Sequence, residues 1–118
     1  MTTGNILEKS RPSTSVVDFS LEQIKEFLIR KLAGKNVLNA YLIGSVATGT
    51  ARSWLDIDVM IVQETAKPFP DRALEFMDLF ELGVPVDIFV YTPEEMLSMD
   101  REPTSFWKTA MQGKISLL

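Results

Sequence analysis

Residues 42–62, "LIGSVATGTARSWLDIDVMIV", decide how this chain is read. Leu42, Ile43 and Gly44 close one apolar run, and residues 56–62, "DIDVMIV", make a second. A buried β-strand accounts for Ile57, Val59, Met60, Ile61 and Val62, but not for Asp56 and Asp58. Burying one unpaired carboxylate is costly, and a second beside it adds repulsion. In a strand, residues i and i+2 share a face. Asp56 and Asp58 therefore project together, with Cα atoms about 6.6 Å apart, while Ile57, Val59 and Ile61 turn toward a core.

The same anomaly recurs in residues 84–91, "VPVDIFVY", where Asp87 stands among Val86, Ile88, Phe89 and Val90. If the two strands are neighbours, three carboxylates meet on one patch of sheet. A cation among them offsets the repulsion, and with oxygen ligands only, Mg²⁺ or Mn²⁺ is the natural choice. Such sites hold one or two metals, about 3.5–4 Å apart where there are two, and serve phosphoryl transfer. The competing reading is that an Asp sits at a strand end, solvated or paired with Arg or Lys. Upstream, Gly44-Ser45 ends a strand and "VATGT" opens a short helix. Glycine lets a phosphate approach the backbone, the serine hydroxyl adds a hydrogen bond, and a helix N-terminus favours an anion.

Absences prune the chemistry further. The 118-residue chain has no Cys and no His. Disulfides, thiolate nucleophiles, zinc–sulfur sites, Ser-His-Asp triads and imidazole bases are excluded. Apolar residues make up 46% of the chain, enough for one domain with a core. No apolar run nears the roughly 20 residues that span a bilayer, and the first residues lack a signal-peptide apolar stretch. A cytoplasmic location without membrane contact is the expectation. The net charge of −4 argues against broad nucleic-acid binding.

Around these strands, residues 1–17 read as a loose arm and residues 18–118 as the domain. "SLEQIKEFLIRKLAG" is a helix with Ser20 and Gln23 as a capping box, Gly34 after its end, and Leu21, Ile24, Phe27, Leu28 and Leu32 as its apolar stripe. "PDRALEFMDLFELG" reads as a helix stopped by Gly83, and Phe76, Met77, Phe80 and Phe89 read as core. Thr92 and Glu95 cap a helix "PEEMLSM", "TSFWKTAMQG" is a last helix, and "KISLL" a closing strand. Phe106 and Trp107 are core or partner surface, and Tyr41 and Tyr91 sit in strands, where they pack or carry hydroxyls to the cleft. The order α-β-(α)-β-α-β-α-α-β gives an α/β (α+β) domain, a small mixed sheet with helices packed on it.

Gly44-Ser45, ten residues, then Asp56-Ile57-Asp58 resembles the G-S-x₁₀-D-x-D signature of the DNA polymerase β-like nucleotidyltransferase superfamily. The short length resembles its minimal nucleotidyltransferase (MNT) branch, and "VPVDIFVY" the strand of its third carboxylate. The resemblance covers about residues 20–118, with only the motif region specific. It implies the nucleotidyltransferase fold, with Asp56, Asp58 and Asp87 as catalytic and metal-holding residues. It also implies a nucleotide site at Gly44, Ser45, Gly49 and Arg52, with Mg²⁺ or Mn²⁺ and ATP or another NTP. The implied activity moves NMP, by preference AMP from ATP, to a hydroxyl acceptor on a partner protein. Small members resemble antitoxins of HEPN/MNT pairs, so a HEPN-type partner and a homo- or hetero-oligomer are implied.

The chain departs from the family pattern at Leu55, where Ser usually precedes the first Asp, and at Val46 and Thr48, where many members carry Arg. These departures favour the alternative, a non-catalytic nucleotidyltransferase-fold module that masks a partner. Trp54, two residues before Asp56, packs on its own domain or a partner, or covers the cleft.

Overall fold

The computed structural model describes residues 19–48 and 57–118. The arm at 1–17 lies outside the described residues, as do Gly49, Arg52, Trp54, Leu55 and Asp56.

Helix α1 (Leu21–Leu32) begins where local chemistry starts it. The Gln23 N–H donates to Ser20 Oγ at 3.1 Å, and the Ser20 N–H donates back to Gln23 Oε1 at 2.8 Å. Gly34, at φ +82°, follows its last turn. Ile24, Phe27, Leu28 and Leu32 are buried, but Leu21, expected in the stripe, is exposed. As the first helical residue, it precedes the turn that meets the sheet.

Strand β1 (Asn39–Ile43) leads into helix α2 (Gly44–Thr48), and β2 (Ile57–Val62) follows. Helix α3 (Phe69–Arg72) continues as a 3₁₀ segment (Ala73–Leu82) stopped by Gly83 at φ +91°. Strand β3 (Val86–Tyr91), helices α4 (Pro93–Arg101) and α5 (Ser105–Gly113), and a short β4 (Ile115–Ser116) complete the order. The sheet runs β3-β2-β1-β4, with β2 and β3 parallel and both pairings of β1 antiparallel. The chain is thus α+β, with a mixed four-stranded sheet as expected.

Residues 70–83, expected as one α-helix, are mostly 3₁₀, and the sequence contains the reason. From Ala73 to Leu82 the pattern repeats every three residues, and the segment is two short helical pieces joined at a kink at Phe76 (φ −112°, ψ +19°). A 3₁₀ helix stacks residues i and i+3. Phe76 and Leu79 are fully buried, with Leu82 packed beside them. Glu75, Asp78 and Glu81 form a second row, meeting Gln63, Lys35 and Lys31. Leu74, Met77 and Phe80 form a third row that is 66%, 48% and 41% exposed. Met77 and Phe80 are therefore surface residues, not core. An α-helix would smear these rows across one another.

The sheet has two apolar coverings. On one face Ala40, Leu42, Ile57, Val59, Ile61, Val86 and Val90 pack with α1 and the 3₁₀ segment. On the other, Ile43, Met60 and Tyr91 pack with Trp107 and Ala110 of α5, ringed by Tyr41, Phe89, Met96, Met99 and Met111. Tyr91 and Trp107 meet edge to face at 5.7 Å. Trp107 is thus core and Phe106, 48% exposed, is surface; Phe89 is half-buried.

Candidate active site

Gly44 follows β1 and begins α2 with φ +77°, in the left-handed region that glycine enters without penalty. A Cβ at this position would run into Asp58 Oδ2 and lie 3.3 Å from Asp58 Cγ. Two independent constraints, backbone conformation and the adjacent carboxylate, therefore require glycine here. The carboxylate lies against the point where the chain turns into the helix.

Pairing carries the row across three strands. Ile43 stands opposite Asp58 in the β1–β2 ladder, and Asp58 stands opposite Asp87 in the parallel β2–β3 ladder. Neighbouring strands lie about 4.8 Å apart. By alternation Asp58 and Asp87 share the face that carries Met60 and Phe89, away from Ile57 and Val59. Asp58 is half-buried and Asp87 is exposed.

Of the three carboxylates expected on one patch from strand periodicity, the fold puts Asp58 and Asp87 in register on neighbouring strands, and it sets Gly44, expected from the turn after β1, against Asp58. Ser45 opens the first turn of α2 directly after Gly44, and Thr48 closes that helix. Gly49, Arg52 and Asp56 lie outside the described residues. Among the described residues no group of three or more acidic side chains could hold a metal ion; the remaining predicted carboxylate is Asp56.

The opposite end of the same face is built differently. Tyr91, four residues along β3 from Asp87 and about 13 Å away, lines a cleft of about 290 Å³ with Phe69, Glu95, Ser98 and Met99. Arg72, 7% exposed, anchors this end. Its guanidinium donates to Lys67 O (2.9 Å), Val90 O (3.1 Å) and both Glu95 oxygens (2.6 and 3.2 Å). The bond from Arg72 holds the Glu95 carboxyl below its usual range, aided by Thr92 and opposed by partial burial. Burial, and then the charge of Glu95, push the Tyr91 phenol up. The Thr92–Glu95 capping box forms as expected, while Arg72 was not singled out by the sequence, because its partners lie 18 and 23 residues away. No predicted site residue lines this cleft. No helix among the described residues is long and apolar enough to cross a membrane.

The row sets Gly44 against Asp58 and Asp58 opposite Asp87, and the comparisons with known proteins place the fold and the family. No curated protein matches the chain. Among solved structures, the chain is similar to a candidate nucleotidyltransferase from Sulfolobus solfataricus, whose crystal structure was determined at 1.40 Å resolution. The match has 22% sequence identity and a TM-score of 0.53, covering 81% of this chain and 77% of that one. At that identity it establishes the fold. The sequence model of the nucleotidyltransferase domain matches residues 21–105, from the start of α1 to the start of α5 and so through the whole Gly44–Asp58–Asp87 row. The chain belongs to the nucleotidyltransferase domain family.

Proposed function

We propose that this chain is a metal-dependent nucleotidyltransferase that moves NMP, with AMP from ATP as the leading candidate, to a hydroxyl on a partner protein. In this reading it acts in the cytoplasm as the antitoxin of a HEPN/MNT pair. The observation that carries the transfer chemistry is the Asp58–Asp87 register on one sheet face, with Gly44 shaped to the Asp58 carboxylate. The partner assignment rests on the resemblance to small MNT proteins.

The donor set is all oxygen and acidic, which fits Mg²⁺ or Mn²⁺. Asp58 and Asp87, with Asp56, would hold the cation; when bound it neutralises charge on the reacting phosphates. Gly44 keeps the backbone of the first turn of α2 close to Asp58, so phosphates held at Ser45 and its neighbours meet the carboxylates. Asp87, exposed on the edge strand, is available to orient the acceptor hydroxyl or take its proton. Positioning and charge neutralisation supply the catalysis, and no histidine is needed.

The test is calorimetric titration with ATP in Mg²⁺ and in EDTA, on the wild type and Asp58→Asn. Saturable, Mg²⁺-dependent binding lost in the variant supports the reading. Equal binding by both proteins, or none by either, overturns it.

The second reading, masking of a partner without transfer, is favoured by the exposed Leu74–Met77–Phe80 row. Asp58→Asn separates the two readings. Lost control of the partner with binding intact supports transfer, and unchanged control supports masking.

A further inference from the structure

We infer that Lys114 is a phosphate-binding residue of this site, holding the end of a nucleoside triphosphate that departs as pyrophosphate. The inference rests on the nucleotidyl-transfer reading and adds to it a residue with no role in it so far.

The sheet register carries the row of the site one strand further. Strand β4 pairs with β1 at Tyr41↔Ser116 and Leu42↔Ile115. The next step of that antiparallel ladder sets Lys114 opposite Ile43, which is itself opposite Asp58, with Asp58 opposite Asp87. One row therefore crosses all four strands: Lys114, Ile43, Asp58 and Asp87. Alternation assigns the face. Ile115 packs against the cluster that contains Leu42, so Lys114 turns to the carboxylate face, where its Nζ lies 5.7 Å from the centre of the Tyr41 ring. Helix α5 ends just before Lys114 and packs beside α2 and β1. The lysine thus stands at the α2 end of the row, two strand spacings, about 10 Å, from Asp58.

Charge shows what this position is suited to. A triphosphate brings more negative charge than one divalent ion offsets, and the carboxylates beside it add their own. Lys25, Lys31, Lys35 and Arg72 are already paired with Glu22, Glu81, Asp78 and Glu95, and Arg30 lies over Phe27 on the face packed with α1. The first turn after Gly44 offers no arginine, with Val46 and Thr48 in its place. Lys114 is exposed and has no carboxylate partner among the described residues. Its ammonium donates to Met111 O at 3.4 Å, a long cap on the end of α5 that a phosphate oxygen can replace.

In an in-line displacement the attacking and leaving oxygens stand on opposite sides of the α-phosphorus. With Asp87 orienting the acceptor hydroxyl at the β3 end, the leaving group is on the β4 side, at Lys114. The acceptor oxygen bonds to the α-phosphorus, and the bond from that phosphorus to the bridging oxygen of the β-phosphate breaks. The acceptor proton passes to Asp87 or to water, and Lys114 offsets the charge that builds on pyrophosphate.

The experiment is calorimetric titration of the full chain with ATP, ADP and AMP in Mg²⁺. Wild type is compared with Lys114→Gln, Lys114→Arg and Lys108→Gln, the last a control that removes one charge from an exposed position of α5. In Lys114→Gln, ATP affinity should fall at least about tenfold, ADP affinity by less, and AMP affinity not at all. Lys114→Arg should keep ATP affinity, and Lys108→Gln should match wild type. Unchanged ATP affinity in Lys114→Gln, an equal loss for ATP and AMP, or the same loss in Lys108→Gln would overturn the inference. Mg²⁺-dependent ATP binding that Asp58→Asn abolishes and Lys114→Gln leaves intact removes Lys114 alone. A wild type that binds no ATP overturns the transfer reading as well.

Discussion

The two faces of the sheet are made from the same strands, yet they are finished differently. On one face β2 presents Ile57, Val59 and Ile61, all fully buried against α1 and the 3₁₀ segment. On the other, the intervening residues begin with Asp58, next to Asp87, before Met60 and Phe89 restore an apolar surface under α4 and α5. The first face has a continuous hydrophobic covering, and the second keeps one row polar at the end where β1 turns into α2. A sheet stabilised from one side can carry like charges on the other, because the energy lost in that row is small against a full core. The division separates stability from chemistry by residue parity.

Four substitutions probe that division. On the closed face, Phe76→Ala removes a fully buried ring and should cost about 3–5 kcal/mol in urea unfolding. A cost as small as that of a surface change would mean that this face is not the main source of stability.

At the far end of the open face, Arg72→Met leaves Val90 O and Glu95 without their donor. The expected cost is about 1–2 kcal/mol, toward the low side because the Glu95 side chain is 41% exposed and regains water. The pH dependence has a definite sign. Glu95 is lowered from its ordinary 4.5 chiefly by the bond from Arg72. Its contribution is therefore full above that value and is lost as pH falls through the lower, folded-state value. Acid unfolding curves of wild type and Glu95→Gln should converge as pH falls through and below the lowered folded-state value; a constant gap at all pH values would refute this linkage.

Gly44→Ala should cost about as much stability as Arg72→Met, and its effect is the most selective on function. A left-handed alanine costs about 1–2 kcal/mol, and its Cβ displaces the Asp58 carboxylate. Mg²⁺-dependent ATP binding should fall at least tenfold, a larger loss than the change in stability accounts for. Unchanged binding would separate Gly44 from the site.

Much of this was legible because the signals are local. The Ser20 and Thr92 capping boxes were read from side chains three residues apart, and both form. Alternation in "DIDVMIV" and "VPVDIFVY" was sufficient to put Asp58 and Asp87 on one face, given only that the strands are neighbours. The 3₁₀ segment was misread because apolar residues at spacings of three and four fit an α-helix until the acidic row at 75, 78 and 81 is counted separately. With the period taken as three, Met77 and Phe80 fall outside the core. Phe106 and Trp107 could not be told apart in sequence, since their difference is set by contacts of α5 with distant residues, Trp107 with Tyr91 and Phe106 with Phe89. Arg72 was equally silent, for the same reason.

The central claim is that the Gly44–Asp58–Asp87 end of the open face, and not the Phe69–Tyr91 cleft, receives the metal and phosphates. Paramagnetic broadening of amide NMR signals by trace Mn²⁺ in the presence of ATP tests it most directly. The account predicts that Gly44, Asp58 and Asp87 broaden first while Tyr91 and Glu95 stay sharp. Broadening that begins at Tyr91 and Glu95, or is uniform over the chain, would contradict it.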